Sequence, residues 1–321
     1  MDESRFNPNT HEVVSPTQDT VSQIAWHRNQ NFLAASTWDS KIGLWEIQMN
    51  SALKTQFQYS APILTCCWAD MLVFFGSVDG KVGGWDPTTG HKQEIGEHGS
   101  GVKFVKWLSS SHLISGSWDS TIKVWDVRAP RTSLFNLNLP NKLYAADVQD
   151  NILVCATAGR DVLAYDMRTL NQPIYQKKSP LKFQSKCIKL FNTPDPGFVI
   201  GSVEGKAAVE YLNEPTSRNF VFSCHRDNNA IKSVNDIAFH PGGVFATVGS
   251  EGGIKWWNKE KKMKVHEFKP NGLPIVCCSW NSTGSIFAYA IGYDWSKGTQ
   301  YMLENTPFKS QILYSSQQIP S

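Results

Sequence analysis

The chain has 321 residues, of which 41% are hydrophobic and 18% are charged, and its net charge is only +3. This mild charge excludes a dominant polybasic tail, and it neither requires nor excludes a nucleic-acid partner. No run approaches the ~18 apolar residues of a membrane span, and the N-terminus lacks an apolar signal region. We therefore expect a soluble intracellular protein that does not insert into a membrane.

A repeat of 40 residues organises the chain. Its marker is an aromatic residue near the end of a strand-like run, at Trp45, Trp85, Trp125 and Tyr165. Six residues before the marker stand, in the same order, Asp39, Asp79, Asp119 and Gly159. Two worn copies have Glu204 and Glu251 at the acidic position, with Tyr211 and Trp257 as markers. Such a period indicates an array of similar structural units.

Each unit reads as a set of short strands. The runs 20–26, 104–107 and 234–240 are rich in β-branched and aromatic residues, and no window has sustained helical spacing. Asp-Gly, Glu-Gly and Asp-Ser pairs follow the second run, where a tight hairpin turn needs such residues. Four strands per unit, closed by Trp-Asp, are typical of the WD-repeat β-propeller. We predict one all-β domain over residues 1–321, a WD40 ring of seven blades.

A closed ring needs a partner for every blade edge, because an open edge leaves backbone groups unpaired. We expect residues 11–14 to form the outer strand of the last blade, whose other strands come from 275–316. Residues 293–309 then form a long insertion between two strands of that blade.

Asp119 raises the question of a reactive site, because an Asp, a His and a Ser also make a hydrolase triad. In the third unit His98 precedes the first strand, and either Ser115 or Ser117 lies between it and Asp119. The Asp recurs from unit to unit whereas the His does not, and no Gly-x-Ser-x-Gly elbow accompanies the serines. We predict a buried structural chain of Asp119, His98, a serine and the Trp125 indole N–H.

The same scaffold role is predicted for Asp39, Trp45, Asp79 and Trp85 of the first two units. The sequence has no phosphate-binding Gly-rich loop, no H-E-x-x-H and no C-x-x-C among its seven cysteines. We predict that the protein is not an enzyme and that it needs neither a metal nor a cofactor.

Function then depends on what the faces of the ring display. The residue before each turn acid should project beside the central channel on the narrow face. We call this face the turn face, because it carries the turns between the second and third strands. Trp38 and Trp118 occupy that position, and exposed tryptophans are favoured anchors for a protein partner.

Basic residues gather in the worn units. Lys206 and Arg226 are notable because the WD pattern requires neither, and their turns should be neighbours. An Arg beside a Lys suits a pair of carboxylates on a partner peptide. Lys186 and His225 are candidates for the same binding surface, although a solvated blade edge is the simpler interpretation of the scattered lysines.

Three segments that the fold does not require resemble a known family. GSVEGKAAVEY (201–211), CHR (224–226) and YDWSKG (293–298) resemble the WD-repeat mRNA export factor that docks at the nuclear pore. The resemblance implies an adaptor that binds a short acidic and apolar segment of a Phe-Gly nucleoporin across the turn face. It also implies weak binding of RNA or RNA–protein particles and of spindle components. The implied location is the nucleus, the nuclear-pore rim and the cytoplasm.

By the same resemblance, Arg226 and Lys206 face the partner's acidic residues, and Trp295 and Lys297 lie near an outer face used by other ligands. The family commonly has Arg where this chain has Lys206. A lysine offers a point charge in place of a bidentate fork, so the partner geometry differs at this position.

Two alternatives remain open at this stage. The first is the related spindle-checkpoint propeller, an adaptor that binds segments of checkpoint kinases. The second is direct RNA binding, in which basic residues follow the phosphates beside aromatic platforms. The residues for that role are Lys182, Lys186, Lys189 and Arg226.

Overall fold

The computed structural model describes residues 10–14, 17–47, 51–191, 195–213, 216–227, 230–269, 272–300 and 310–316. Within these ranges the chain forms thirty β-strands, a 3₁₀ turn at Thr216–Arg218 and a helical stretch at 298–300. No helix in this described part of the chain is long and apolar enough to cross a membrane.

The strands in chain order are β1 (Thr10–Glu12), β2 (Val21–Trp26), β3 (Phe32–Thr37), β4 (Lys41–Glu46), β5 (Leu53–Gln58), β6 (Ile63–Ala69), β7 (Leu72–Ser77), β8 (Lys81–Trp85), β9 (Lys92–Glu97), β10 (Val102–Ser109), β11 (His112–Ser117), β12 (Thr121–Asp126), β13 (Ser133–Asn138), β14 (Leu143–Gln149) and β15 (Ile152–Thr157). They continue as β16 (Asp161–Asp166), β17 (Tyr175–Lys178), β18 (Ser185–Phe191), β19 (Gly197–Ser202), β20 (Lys206–Tyr211), β21 (Phe220–Ser223), β22 (Arg226–Asp227), β23 (Ala230–Ile231), β24 (Val234–Phe239), β25 (Val244–Gly249), β26 (Ile254–Asn258), β27 (Met263–Phe268), β28 (Ile275–Trp280), β29 (Ile286–Ile291) and β30 (Gln311–Ser316).

Seven antiparallel sheets of four strands each form the blades in the described residues, and β22 with β23 makes a separate short hairpin. Blades 1 to 6 are, in order, β2–β5, β6–β9, β10–β13, β14–β17, β18–β21 and β24–β27, and blade 7 is β28, β29, β30 and β1. The first strands of neighbouring blades contact each other around a closed circle, from β2 through β6, β10, β14, β18, β24 and β28 back to β2. They line a central channel, and the fold is the seven-bladed all-β propeller that the repeat predicts.

The N-terminal strand closes the ring, as predicted. β1 pairs antiparallel with β30 through Thr10–Ser315, His11–Tyr314 and Glu12–Leu313. The strand ends earlier than the predicted 11–14, because the Val14 N–H donates to Ser51 O at 2.9 Å and so leaves the ladder with β30. The predicted insertion lies between β29 and β30, and its residues 301–309 are outside the described residues.

Each marker tryptophan of the clean repeats is buried against the preceding blade. Trp125 lies in one apolar cluster with Phe74 and Ile95 of blade 2. Gly96 on the outer strand of blade 2 leaves room for the indole, because a Cβ there would lie 2.3 Å from the Trp125 ring. The 40-residue spacing therefore reflects one large aromatic side chain packed between each pair of successive blades.

The turns that follow the acidic positions adopt left-handed backbone. The φ angle is 67° at Ser40, 87° at Gly80 and 68° at Ser120. This conformation explains the Asp-Gly and Asp-Ser pairs of the sequence. Because the strands of a blade alternate in direction, these turns and the loops between blades lie together on the turn face.

Candidate functional site

Asp119, His98, Ser115 and Trp125 form one hydrogen-bonded chain in blade 3. Asp119 Oδ2 lies 3.2 Å from His98 Nδ1, and His98 Nε2 lies 2.7 Å from Ser115 Oγ. The Trp125 indole N–H donates to the same Ser115 oxygen at 2.7 Å. Ser115 is therefore the serine of this chain, whereas the Ser117 hydroxyl donates to Ser100 O.

The electrostatics of this chain favour a scaffold role over a reactive one. Burial lowers the pKa of His98 to about 4, although the nearby Asp119 carboxylate opposes the shift. Burial alone would raise the pKa of Asp119, but hydrogen bonds from Thr121 and the Gly99 N–H outweigh it and lower that pKa. Ser115 is fully buried, so no substrate reaches its hydroxyl. The structural role of Asp119 remains a prediction that a substitution tests.

A second chain of the same kind lies in blade 6, where the sequence analysis did not place one. His225 Nδ1 lies 2.5 Å from Glu251 Oε1, and its Nε2 lies 2.9 Å from Thr247 Oγ1. The Trp257 indole N–H donates to Thr247 Oγ1 at 2.9 Å. The signal was a His before the first strand of a unit whose turn acid is Glu instead of Asp.

The prediction that His225 contacts a partner is therefore wrong. Its side chain is fully buried between Glu251 and Thr247 and holds blade 6 together. The neighbouring residue, Arg226, is exposed.

The acids of the first two units have simpler surroundings. Asp39 accepts a hydrogen bond from Thr37 and lies 2.6 Å from Lys41 Nζ, and Asp79 accepts one from Ser77. The Trp45 indole N–H donates to Val14 O at 3.0 Å, which ties blade 1 to the chain next to the closing strand.

Three loops of the turn face are joined by backbone hydrogen bonds around blade 5. The Val203 N–H donates to Gln184 O at 3.1 Å. The oxygen of Gly205 accepts the N–H groups of Cys224 and His225 at 2.9 and 3.1 Å. A Cβ at Gly205 would lie 2.3 Å from His225 O, so the loops are in contact. The segments 182–184, 203–206, 224–227 and 230–232 therefore form one continuous surface.

Lys206 and Arg226 both lie on this surface. Lys206 begins β20 and pairs with Ser223, while Arg226 begins the β22–β23 hairpin. Lys206 Nζ lies 3.6 Å from the buried Glu204, whose other carboxylate oxygen accepts the Lys182 N–H at 2.8 Å. Glu204 thus replaces the repeat Asp and also reduces the positive potential at Lys206.

Apolar side chains accompany the two cations. Phe183 and Ile231 are each 57% exposed, and Val203 is 38% exposed. We call this group the loop patch, defined as Phe183, Val203, Lys206, Arg226 and Ile231. The sequence analysis missed Phe183 and Ile231, because a single apolar residue in a loop carries no periodic signal.

Trp38 and Trp118 lie on the turn face but apart from the loop patch, in blades 1 and 3. Trp38 is exposed. Trp118 is half-buried and packs over Gly101, where a Cβ would lie 2.6 Å from the ring. Neither tryptophan joins the basic pair of blade 5.

A cavity of about 640 Å³ opens on the turn face over blades 5 to 7. Its wall includes Lys186, Val203, Ile231, Lys232, Ser250, Asp294, Trp295 and Lys297. Trp295 and Lys297 are exposed and line this cavity, and their role near an outer face used by other ligands stays a prediction. The insertion leaves blade 7 where other blades have a second-to-third-strand turn, so it lies on the turn face.

Lys186 and Lys189 belong to the channel and not to a basic track along the surface. Both lie on β18, the innermost strand of blade 5. The Lys186 ammonium donates to Asn235 Oδ1 at 2.7 Å. Lys189 faces Asp147 and Asp236 of the neighbouring blades. The surface RNA track through Lys182, Lys186, Lys189 and Arg226 therefore does not fit Lys186 and Lys189, which lie on the innermost strand.

Comparison with known proteins places the chain in a family. The family model described as "WD domain, G-beta repeat" matches residues 8–46, 90–126 and 216–258. The chain is 37% identical to Protein Rae1 of Drosophila melanogaster, over 96% of this chain and 94% of that protein. It is 37% identical to the Poly(A)+ RNA export protein of Schizosaccharomyces pombe, over 94% and 89%. It is 35% identical to the mRNA export factor GLE2 of Chaetomium thermophilum, over 94% and 89%. The chain therefore belongs to the WD-repeat family that contains Rae1 and the GLE2 mRNA export factor.

Proposed function

We propose that this protein is a non-enzymatic adaptor of nuclear mRNA export that binds a short acidic and apolar segment of a nucleoporin at the loop patch. One observation carries the proposal. Lys206 and Arg226 lie beside three exposed apolar side chains on loops that are hydrogen-bonded to one another. The relatives named as mRNA or poly(A)+ RNA export proteins support the process.

The chemistry of the loop patch selects the partner. The Arg226 guanidinium matches a carboxylate with two parallel hydrogen bonds, and the Lys206 ammonium adds a point charge. Phe183 and Ile231 are apolar and each 57% exposed, which favours a partner that covers them. A segment with paired acidic residues next to apolar ones satisfies both requirements.

The proposed location follows from the process. An adaptor of mRNA export that holds a nucleoporin works in the nucleus, at the nuclear-pore rim and on the cytoplasmic side. A segment bound on the turn face leaves the outer strands of the blades available for other members of an export complex. Binding of RNA–protein particles is consistent with the same role.

Charge reversal tests the site. The double variant Lys206→Glu with Arg226→Glu should lose about 100-fold or more in affinity for an acidic nucleoporin peptide, because like charges then face each other. Fluorescence anisotropy with a labelled peptide measures the affinity, and far-UV circular dichroism checks the fold. The control is Lys54→Glu with Arg28→Glu, an equal charge change at exposed positions of blade 1.

Undiminished binding by the folded double variant would remove the proposed site. Equal loss in the blade 1 control would mean that the net charge of the protein, and not the loop patch, governs binding. Affinity purification from cells tests the process. A nucleoporin is the expected partner, and recovery of a checkpoint kinase in its place would contradict the role in export.

A further inference from the structure

The channel carries a concentration of lysines that the proposed adaptor role does not use. Lys103 and Lys106 lie on β10 of blade 3, and Lys186 and Lys189 lie on β18 of blade 5. Both strands belong to the closed circle of innermost strands. Lys103 is close enough to interact with Asp236 of blade 6, so the cluster spans the channel from one side to the other.

The carboxylates of the channel are mostly engaged by other groups. Asp147 Oδ1 lies 2.7 Å from Lys106 Nζ, and its Oδ2 accepts the Leu190 N–H at 3.0 Å. Asp236 accepts the N–H groups of Ile237 and Cys278 at 2.8 and 3.0 Å. Four ammonium groups and two carboxylates leave an excess of two positive charges.

Asp294 lies at the turn-face mouth of the channel and lowers that excess to one. It accepts hydrogen bonds from Ser250 and from the Asn235 amide, and it interacts with Lys186. The channel therefore has a net positive interior even when the carboxylate at its entrance is counted.

Two of the lysines make no direct hydrogen bond. Among the residues that the structure describes, neither Lys103 nor Lys189 donates one, although both interact with the Asp236 carboxylate and Lys189 also faces Asp147. Burial lowers the pKa of Lys103, and the Asp236 carboxylate only partly offsets it. Burial also lowers the pKa of Lys186. These ammonium groups would be stabilised by an anion between them.

We propose that the channel binds a small phosphate-bearing anion held by Lys103, Lys186 and Lys189. Low-dielectric walls that carry charges of one sign concentrate the field in a cleft, and rings of Lys or Arg select anions and phosphates in pores. The excess positive charge of the channel attracts a compact, multiply charged anion. Because the blades close the circle on all sides, the ligand is a free small anion and not a nucleic-acid backbone.

Isothermal titration calorimetry of the full chain with inorganic pyrophosphate tests this site, in sodium chloride of matched ionic strength. The parent should show saturable binding to one site. Lys103→Gln and Lys186→Gln should each weaken it by about tenfold or more. Lys103→Arg, which keeps the charge, should retain binding. The control is Lys54→Gln, an exposed lysine of blade 1 that should bind like the parent.

A replacement variant and three refuting results complete the test. If Lys103→Gln does not fold by circular dichroism, Asp236→Asn replaces it. That variant adds one unit to the excess positive charge and should bind pyrophosphate more tightly than the parent. Absence of saturable binding in the parent would overturn the proposal, as would equal weakening by Lys54→Gln. The proposal would also be overturned if Lys103→Gln weakened the binding of an oligoribonucleotide and left the binding of pyrophosphate unchanged.

Discussion

Replacing Asp119 by alanine removes the acceptor at one end of the blade 3 hydrogen-bonded chain. Asp119 Oδ2 accepts the Gly99 N–H at 2.8 Å, and Oδ1 accepts the N–H and the hydroxyl of Thr121 at 2.9 and 2.7 Å. His98 Nδ1 lies 3.2 Å from the same carboxylate. A net hydrogen bond contributes roughly 0.5–1.5 kcal/mol. Water can replace the carboxylate at the exposed Gly99, so we expect a loss of about 1–3 kcal/mol.

Asp79→Ala is the matched control, because Asp79 occupies the same position of the repeat in blade 2. Its carboxylate accepts the Ser77 hydroxyl and a long bond of 3.5 Å from the Lys81 N–H, and no histidine is among its hydrogen-bond partners in the described part of the chain. The same reasoning gives a loss of about 1 kcal/mol or less. The two substitutions are alike in sequence, and only their three-dimensional surroundings separate them.

Equilibrium unfolding in urea, followed by circular dichroism, measures both losses as shifts of the midpoint at constant slope. Equal midpoint shifts for the two variants would refute the argument that the hydrogen-bond partners of each Asp set the loss. If Asp119→Ala unfolded like the parent and yet lost partner binding, Asp119 would be a functional residue, and that result would refute its scaffold role.

Three further predictions concern single side chains. His98→Gln should flatten the pH dependence of stability. Between the unfolded pKa of ~6.5 and the folded pKa of about 4, only the unfolded parent binds a proton at His98, so the parent loses stability as the pH falls through that window. Equal shifts of the urea midpoint between pH 7 and pH 5 in the parent and the variant would contradict this. Trp295→Ala should leave the urea midpoint nearly unchanged because the residue is 45% exposed, and a large drop would mean that Trp295 is part of the core. Glu204→Gln should tighten binding of the acidic peptide in the anisotropy assay, because it removes the carboxylate that lies 3.6 Å from Lys206 Nζ. The amide oxygen of the glutamine can still accept the Lys182 N–H. Unchanged or weaker affinity would count against this prediction.

The blades were predictable because their signals are local. A turn acid followed by a residue with positive φ, and a Trp six positions after the acid, repeat every 40 residues and fix the strands of each unit. The need to pair the last edge likewise pointed to an N-terminal strand. Its bounds were wrong because a contact distant in sequence, between Val14 and Ser51, ends the ladder.

The role of His225 was not predictable in the same way. In the sequence it stands next to Arg226 in a basic, worn unit, which suggested one binding surface. In the structure the two side chains point to different environments: His225 is fully buried against Glu251, and Arg226 is exposed. The sequence placed Glu251 at the acidic position of its unit, but His225 was not paired with it because its neighbour Arg226 suggested a binding role.

The sequence by itself determined the number of units, their strand content and the buried tryptophans, because alternation, turn chemistry and spacing act within one unit. Only the tertiary structure decided which loops share a surface and which lysines share the channel. The loop patch joins residues 183, 203, 206, 226 and 231, and the channel sets Lys103 of blade 3 within reach of Asp236 of blade 6. Those distances depend on the geometry of the closed circle and on where the innermost strands face, and both are properties of the whole ring.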